Sequence, residues 1–194
     1  MTSDVVLGPD GTPRCAWPGL ANAPDYAAYH DQEWGVPVHG ESALLERVCL
    51  EAFQSGLSWL TILRKRPAFR ERFRGFDADA VAAFDAADVA RLLDDAGIVR
   101  NRRKIEATIA NAAAVVRLRE AGGLDALVWS FAPTSHQRPA GFAEIPALTL
   151  ESTAMATALK AAGLRHLGPT TCYALMQSCG LVDDHVAGCH RAAA

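Results

Sequence analysis

Apolar residues recur at helical spacing along most of the chain, and this pattern predicts a protein built from helices. A run of apolar side chains after Ser42 occupies one face of a helix, with members at 44, 45, 48, 49 and 52. Ser42 is placed to cap the N-terminus of this helix, and Gly56 to end it. Similar patterns predict helices over 24–33, 58–66, 77–84, 85–96, 101–121, 124–131, 152–162 and 170–179.

The segments between these helices contain the residues that end regular structure. Residues 1–13 are rich in Gly, Pro and Asp, so we expect a disordered N-terminal extension. Residues 132–150 contain three prolines and predict a loop, and no series of strands or internal repeat is visible. The pattern therefore predicts an all-α fold, with one domain over 14–194.

Charge and composition narrow the class of protein. The chain has 194 residues, half of them hydrophobic, and a net charge of −3, so it can build a core and is not basic as a whole. However, 13 of its 19 Lys and Arg lie between Arg64 and Arg119. A basic face on an acidic protein can hold phosphates, although a solvated surface of mixed charge explains the same runs.

Cysteine usage and hydropathy indicate a cytoplasmic protein. No secretory signal and no apolar run long enough to span a membrane is visible. Five cysteines, an odd number, favour reduced thiols or metal ligation over disulfides.

Glu51 is the one charged residue between Arg47 and Arg64, in the segment LEAFQSGLSW. Its helical spacing from Val48 and Leu44 places it beside the apolar face. A carboxylate there is costly unless it is paired or hydrogen-bonded. Either it is tied to a neighbouring group such as Arg47, or it lies in the wall of a cavity and faces a ligand.

Aromatic residues cluster in the same part of the chain, where they could line such a cavity. Most of the Trp and Tyr residues fall in the first third of the sequence. Electron-rich rings beside a carboxylate suit a flat, cationic heterocycle. The candidates are Trp17, Tyr26, Tyr29, Trp34, Phe53 and Trp59.

Two further patterns suggest sites without establishing them. His185 and Cys189 are one helical turn apart and form half of a possible zinc site, which Cys15 and His30 could complete, with His190 as a competing ligand. Leu167-Gly168-Pro169 joins two predicted helices, and the second opens with Thr170 and Thr171. Such a turn presents backbone N–H groups to an anion, but it also occurs as an ordinary helical corner.

These blocks together resemble the DNA-3-methyladenine glycosylases of type I. The resemblance extends over roughly residues 14–190 and rests on long, ordered motifs. They are RCAW (14–17), YAAYHDQEWGVP (26–37), LEAFQSGLSW (50–59), RNRRKIEATIANA (100–112) and LGPTTCYALMQSCGLVDDHVAGC (167–189).

The resemblance implies a helix-hairpin-helix glycosylase fold of two helical lobes, with the base pocket between them. It implies a structural zinc ion that joins the two ends of the chain, bound by Cys15, His30, His185 and Cys189. The pocket carboxylate, which is expected to be the catalytic residue, falls on Glu51, and the substrate-binding residues fall on Tyr26, Tyr29, Trp59, Trp17 and Phe53. The DNA-binding hairpin falls on Gly168, Pro169, Thr170 and Thr171.

The implied activity is hydrolytic excision of 3-methyladenine from alkylated double-stranded DNA, by a monomer that flips the damaged nucleotide into the pocket. Bifunctional relatives use a hairpin lysine, and Lys65, Lys104 and Lys160 all lie outside the hairpin, so we expect no strand cleavage. The Gly-x-Gly turn of many relatives is missing. Asp183 and Asp184 adjoin His185, which favours a capping or metal-supporting role at least as much as an acid role.

Two other functions stay open at this point. A zinc-stabilised DNA-binding module without catalysis would leave the isolated Glu51 unexplained. A thiol hydrolase with a Cys/His pair would need an exposed cysteine of low pKa.

Overall fold

The computed structural model describes residues 4–193, and within them the chain is mostly helical. The helices are α1 (Pro24–Gln32), α2 (Glu41–Gln54), α3 (Trp59–Arg72), α4 (Ala78–Ala82), α5 (Ala86–Asp94), α6 (Arg102–Leu118), α7 (Gly123–Trp129), α8 (Leu150–Ala161) and α9 (Pro169–Ser178). Two short strands, β1 (Val5–Leu7) and β2 (Pro13–Cys15), precede them. None of the helices in the described part of the chain is long and apolar enough to cross a membrane.

The N-terminal segment forms a β-hairpin, so the expectation of disorder over 1–13 is wrong for residues 4–13. Residues 1–3 lie outside the described part of the chain. β1 pairs antiparallel with β2, with Val5 opposite Cys15. The buried Arg14 side chain bonds Asp10 at 2.8 Å and Asp31 on α1 at 2.7 Å, which fixes the turn to the helix. The sequence did not predict this hairpin, because strands of three residues are too short to show a periodic pattern of apolar residues and the contact with Asp31 is distant in sequence.

Polar side chains cap several of the helices, as their local pattern predicts. The side chains of Ser58, Asp77, Asp85 and Asn101 each accept a hydrogen bond from a backbone N–H in the first turn of the helix that follows. Ser42 does not act as a cap. The chain turns into α2 at Gly40, whose φ of 91° places it in the left-handed region, and whose N–H donates to Asp125 at 2.5 Å.

The third helix is longer than the prediction that it ends at Arg66. It continues through Pro67 to Arg72. Proline inside a helix removes one backbone hydrogen bond, but here the following turn is held by burial of Phe69. That ring is fully buried and lies 4.7 Å from the ring centroid of Phe53 on α2.

The second helix lies at the centre of the molecule, because its residues from Leu44 to Phe53 are all buried. It packs against α3, α6, α7 and α9. Between Leu44 and Phe53 this helix offers no exposed face for charges. Glu46, Arg47 and Glu51 are nonetheless among its buried residues.

The last two long helices, α8 and α9, pack against each other and are joined by residues 162–168. Asn111 of α6, itself 1% exposed, holds this connection. Its Oδ1 accepts a hydrogen bond from the Arg165 N–H at 2.7 Å, and its Nδ2 donates to the Arg165 carbonyl at 3.4 Å. The connection is therefore fixed to the core at its midpoint.

Candidate functional site

A cavity of about 490 Å³ opens beside the buried face of α2, large enough to hold a heterocyclic base. Side chains from α1, α2, the start of α3, α9 and the segment 142–145 line it. The predicted residues Trp17, Tyr26, Tyr29, Glu51 and Trp59 all lie in its wall.

Aromatic rings form one side of the cavity. The ring centroids of Tyr29 and Trp59 are 5.3 Å apart, and those of Trp17 and Tyr26 are also 5.3 Å apart. Trp34 lies edge-on to Trp17 at 4.8 Å and lines the cavity as well. The rings support one another at distances typical of favourable aromatic pairs, so they form a preformed wall.

Phe53 is not part of this wall, contrary to the expectation that it contacts substrate. Its ring is fully buried and packs against Phe69 and Phe73 in the core. Positions two apart on a helix differ by about 200° in direction. Since Glu51 faces the cavity, Phe53 faces away from it.

Glu51 is only 5% exposed and lies in the floor of the cavity. Burial raises its pKa to about 7, and a hydrogen bond from Ser178 and the charge of Arg47 oppose the rise. A carboxyl group with a pKa near 7 changes its charge easily when a ligand binds.

Arg47 lies one turn before Glu51 and is also buried. Its Nη2 donates to Glu33 at 2.9 Å, and its guanidinium carbon lies 5.8 Å from the centroid of the Tyr29 ring. Arg66 binds the same Glu33 carboxylate through two hydrogen bonds, at 2.5 and 2.7 Å. The interpretation that Glu51 is tied to Arg47 is thus only partly right, because Arg47 forms its ion pair with Glu33.

One buried donor of the cavity wall has no partner among the described residues. The indole Nε1 of Trp59 is buried and has no hydrogen bond within residues 4–193. A buried donor without a partner costs free energy, and such groups often face a ligand site. Trp59 lines the cavity, which makes it a candidate contact for a bound molecule.

A second cluster brings the two ends of the described chain together. Ligand atoms of Cys15, His30 and Cys189 lie within 4.8 Å of one another, and all three residues are buried. The Cys189 Sγ is 3.6 Å from the His30 Nε2. A hydrogen bond with Cys15 and the neighbouring His30 lower the pKa of Cys189, against the effect of burial.

His185, the fourth predicted ligand, lies beside this group, but its ligand atoms are not within 4.8 Å of those of all three other residues. Its ring centroid is 4.9 Å from that of His30, and the Nε2 is 3.4 Å from the His30 carbonyl oxygen. His190, the competing candidate, bonds Asp31 at 2.9 Å through its Nε2.

A carboxylate holds each of the two inner histidines. The Nδ1 of His30 is 2.8 Å from Asp31, and the Nδ1 of His185 is 2.6 Å from Asp183. An ionised carboxylate only accepts hydrogen bonds, so each Nδ1 carries the hydrogen and each Nε2 is left as a possible ligand. Asp183 does not line the cavity, and its contact supports the expected capping role over that of a catalytic acid.

Comparison with known proteins decides the family. The family model described as methyladenine glycosylase matches residues 19–192. The chain belongs to the methyladenine glycosylase family.

Several relatives in this family are similar over nearly their whole length. The chain is 47% identical over 182 residues to DNA-3-methyladenine glycosylase 1 of Escherichia coli (strain K12), covering 91% of this chain and 95% of the relative. A crystal structure of 3-methyladenine DNA glycosylase I superimposes with a TM-score of 0.85 and 45% identity, covering 91% and 98% of the two chains. A second structure is that of a tyrosine-to-phenylalanine variant of such an enzyme in complex with 3-methyladenine. It superimposes with a TM-score of 0.82 and 31% sequence identity, covering 87% of this chain and 92% of that one.

The hairpin of this methyladenine glycosylase presents a helix start to solvent. Gly168 takes the N-cap position with φ −97° and ψ 171°, and Pro169 is the first helical residue. Gly168 accepts a backbone bond from Cys172. No side chain in the described residues caps this end. The N–H groups of Thr170 and Thr171 are therefore candidates for an anion.

Much of the basic run is already paired, as the mixed-charge interpretation predicted. Arg64 bonds Asp25, Arg70 bonds Glu46, and Lys65 donates to the Ala96 carbonyl at 2.7 Å. Lys104 closes the end of α2 by donating to the Phe53 and Ser55 carbonyls. The basic runs are therefore less available to phosphates than their sequence suggests.

Two polar side chains of the cavity wall were not predicted from the sequence. Gln54 and Gln177 both line the cavity, from α2 and α9. The available signal was an amide side chain near the end of a largely apolar helix, which gives no direction by itself. Only the packing of α9 against α2 shows that Gln177 faces the same space as Glu51.

Proposed function

We propose that this chain is a monofunctional DNA glycosylase that excises 3-methyladenine from alkylated double-stranded DNA and so initiates base excision repair. The observation that carries the proposal is the buried Glu51 carboxyl group in the floor of an aromatic cavity. Family membership and the 3-methyladenine complex of a relative support the same substrate.

The cavity suits a cationic purine. The nucleotide of 3-methyladenine carries a positive charge on its base. Tyr29 and Trp59 offer π faces that attract a cation, and Glu51 accepts hydrogen bonds from the base edge. A neutral adenine gains less from both, so charge separates damaged from normal bases. The enzyme reaches the base by flipping the nucleotide out of the duplex.

The bond that breaks is the one between the base and the sugar. An alkylated purine is already a good leaving group, and the sugar carbon that it leaves behind is attacked by water. Because interactions stronger in the transition state raise the rate, a carboxylate near the departing base and its developing sugar cation favours cleavage.

The positions of the three lysines argue against an imine between a lysine and the sugar, the intermediate that leads to strand cleavage. Lys65 and Lys104 donate to backbone carbonyls, and Lys160 is exposed near the end of α8. None of them lines the cavity. We therefore propose hydrolysis without strand cleavage.

DNA is proposed to contact the connection between α8 and α9. Gly168, Pro169, Thr170 and Thr171 form a helix N-terminus without a side-chain cap, and such ends bind phosphate. One pocket per lesion needs only a monomer, and buried free thiols suit the cytoplasm.

We further infer that Cys15, His30, His185 and Cys189 bind one zinc ion. Two thiols and two imidazoles match the preference of zinc, and Asp31 and Asp183 support both histidines. Four protein ligands leave no position for water, so the ion has a structural role between the ends of the described chain.

The test of the main proposal is base release from methylated duplex DNA, with products identified by chromatography. We expect 3-methyladenine from the wild type and at least a hundredfold slower release by Glu51→Gln. Glu46→Gln is the matched control, because Glu46 is a buried glutamate of the same helix that pairs with Arg70 outside the cavity. It should retain most of the activity.

The outcomes separate the proposal from its alternative. If Glu51→Gln releases 3-methyladenine as fast as the wild type, the protein is still a glycosylase, but the aromatic wall and not Glu51 recognises the base. Binding of methylated DNA without any base release favours a DNA-binding module and contradicts the enzymatic proposal.

A further inference from the structure

The orientation of one amide side chain in the cavity is fixed from behind. Gln177 of α9 lines the cavity, and its Nε2 donates to the Asp184 carboxylate at 2.7 Å. Asp184 is 2% exposed and does not line the cavity. The amide therefore lies between a buried acceptor and the space where a base would bind.

Asp184 holds this arrangement through several donors. The same oxygen that accepts from Gln177 accepts from the Tyr173 hydroxyl at 2.8 Å. Its other oxygen is 3.1 Å from the His136 Nε2. A carboxylate accepts hydrogen bonds and does not donate them, so it binds the NH₂ end of the amide and not the carbonyl end.

The carbonyl end is then the polar atom left for the cavity. Gln177 Oε1 has no hydrogen bond in the described part of the chain, and it is not among the buried atoms that lack a partner. It is therefore accessible in a side chain that lines the cavity. If the amide turned over, an NH₂ group would replace this acceptor, but Asp184 would then face a carbonyl oxygen.

We propose that Gln177 Oε1 reads the exocyclic amino group of the flipped base and so selects 6-aminopurines over 6-oxopurines. Asp184 acts as a positioning residue, since it works through Gln177. The inference rests on the proposed function and specifies which lesions that pocket takes.

The selection follows from counting donors and acceptors. A 6-amino group has two N–H bonds, and the polar side chains of the cavity wall include an acceptor on each of two helices, Glu51 on α2 and Gln177 on α9. Each can take one hydrogen. A 6-oxo group places an oxygen against these oxygens and leaves buried polar groups unpaired, which sites built around a hydrogen bond reject strongly. On these grounds 3-methyladenine is preferred to 3-methylguanine.

The experiment measures the ratio of two products from one DNA sample. DNA containing both 3-methyladenine and 3-methylguanine is treated with wild type or with Gln177→Met, which keeps the side-chain length but removes the carbonyl. We expect the preference for 3-methyladenine to fall about tenfold, as expected for the loss of one hydrogen bond. A purely structural role would lower both products together and leave the ratio unchanged.

Tyr173→Phe is the matched control. It removes another donor from the same Asp184 oxygen, but Tyr173 is not in the cavity wall, and Asp184 still holds Gln177. Its product ratio should equal that of the wild type.

The failures are distinguishable. If the wild type releases no 3-methyladenine, the proposed function fails and this inference fails with it. If the wild type is active and Gln177→Met keeps the wild-type ratio, only the inference is overturned.

A second measurement avoids any question of folding in the variant. Calorimetry on the wild-type protein compares the free bases 3-methyladenine and 3-methylhypoxanthine, which differ at the 6-position. We expect at least about tenfold weaker binding of the 6-oxo base. Equal affinities would overturn the inference.

Discussion

The cavity and the cysteine–histidine cluster are adjacent, yet they differ in whether their buried polar groups have hydrogen-bond partners. In the cluster, the Nδ1 atoms of His30 and His185 are each held by a carboxylate. In the cavity, the Trp59 Nε1 has no partner in residues 4–193, and burial raises the pKa of Glu51. The site proposed for a permanent ligand is thus fixed in advance, whereas the site proposed for a transient ligand retains unsatisfied groups that the ligand would complete.

The largest effect is expected from a substitution in the cysteine–histidine cluster, measured as a change in Tm. Cys189→Ser removes one thiolate ligand, and losing a structural metal costs several kcal/mol, so we expect Tm to fall by about 10 °C or more. Cavity function, measured as 3-methyladenine affinity well below Tm, should change little. Cys172→Ser, also a buried free thiol but outside the cluster, is the control. Metal content is measured on the same samples, and a zinc-free wild type with the same Tm as the variant would show that no metal clamps the chain ends.

Removing the buried carboxyl group should have the opposite effect on stability. The folded pKa of Glu51, about 7, is above its ordinary value of 4.5. Folding is therefore favoured with Glu51 protonated, and this contribution is lost as pH rises through 7. Glu51→Gln should be more stable than wild type at pH 8 by roughly 3 kcal/mol, with little difference below pH 4.5, since one pKa unit is worth about 1.4 kcal/mol.

Chemical denaturation between pH 5 and pH 8 measures this difference. The exposed Glu106→Gln supplies a control whose difference from wild type should not vary with pH. A constant difference for Glu51→Gln across the range would mean that Glu51 titrates normally in the folded protein. A gain in stability together with a loss of activity would show that the carboxyl group is kept for function.

A smaller effect is expected from the charge beside the cavity. Arg47 opposes the rise in the pKa of Glu51, so Arg47→Met should raise that pKa further. Activity that needs the carboxylate is lost as pH falls through the pKa, and the acidic limb of the kcat/KM profile should therefore move up by about half to one unit.

The neighbours of Glu51 do not obscure this titration. Burial raises the pKa of Tyr29 and raises that of Cys179 to about 12, so both stay neutral near pH 7. Ser178 does not titrate, and the pKa of Glu33 is lowered by its arginine partners against the effect of burial. Arg64→Met, an exposed arginine paired with Asp25, is the control. An acidic limb that stays in place in Arg47→Met would exclude this electrostatic role.

The smallest effect concerns DNA contact outside both regions. Arg165 is exposed on the proposed hairpin, and Asn111 holds its backbone. Arg165→Ala should weaken binding of undamaged duplex a few-fold and reduce the salt dependence by about one counterion. Arg64→Ala should do neither, because Arg64 is bound to Asp25. Equal salt slopes for Arg165→Ala and wild type would place the phosphate contacts elsewhere.

Local signals in the sequence were sufficient for most helix boundaries. Ser58, Asp77, Asp85 and Asn101 cap helices because a cap bonds a backbone group within three residues. The predicted cap at Ser42 and the predicted helix end before Pro67 were wrong, because packing against distant residues overrides a local preference. The β-hairpin was missed since its stability depends on Asp31, far along the chain.

The candidate site shows the same division. Helical spacing identified Glu51 as an unusual buried carboxylate. The same geometry would have excluded Phe53, whose direction on the helix differs from that of Glu51. Gln177 could not be found in this way, since its role depends on Asp184 fixing its amide and on α9 meeting α2. Spacing within one helix is present in the sequence, whereas contact between helices is not.

The burial of α2 from Leu44 to Phe53 has a consequence for motion. Its amide hydrogens, from Leu44 to Phe53, can exchange with solvent deuterium only when most of the protein unfolds, because no face of this helix can open alone. Glu51 therefore rests on the slowest-exchanging part of the molecule. Trp17 also lines the cavity but lies outside the helices, and its amide hydrogen should exchange many times faster. A base entering the cavity would then meet a floor that stays still, and any adjustment would come from the segment at Trp17.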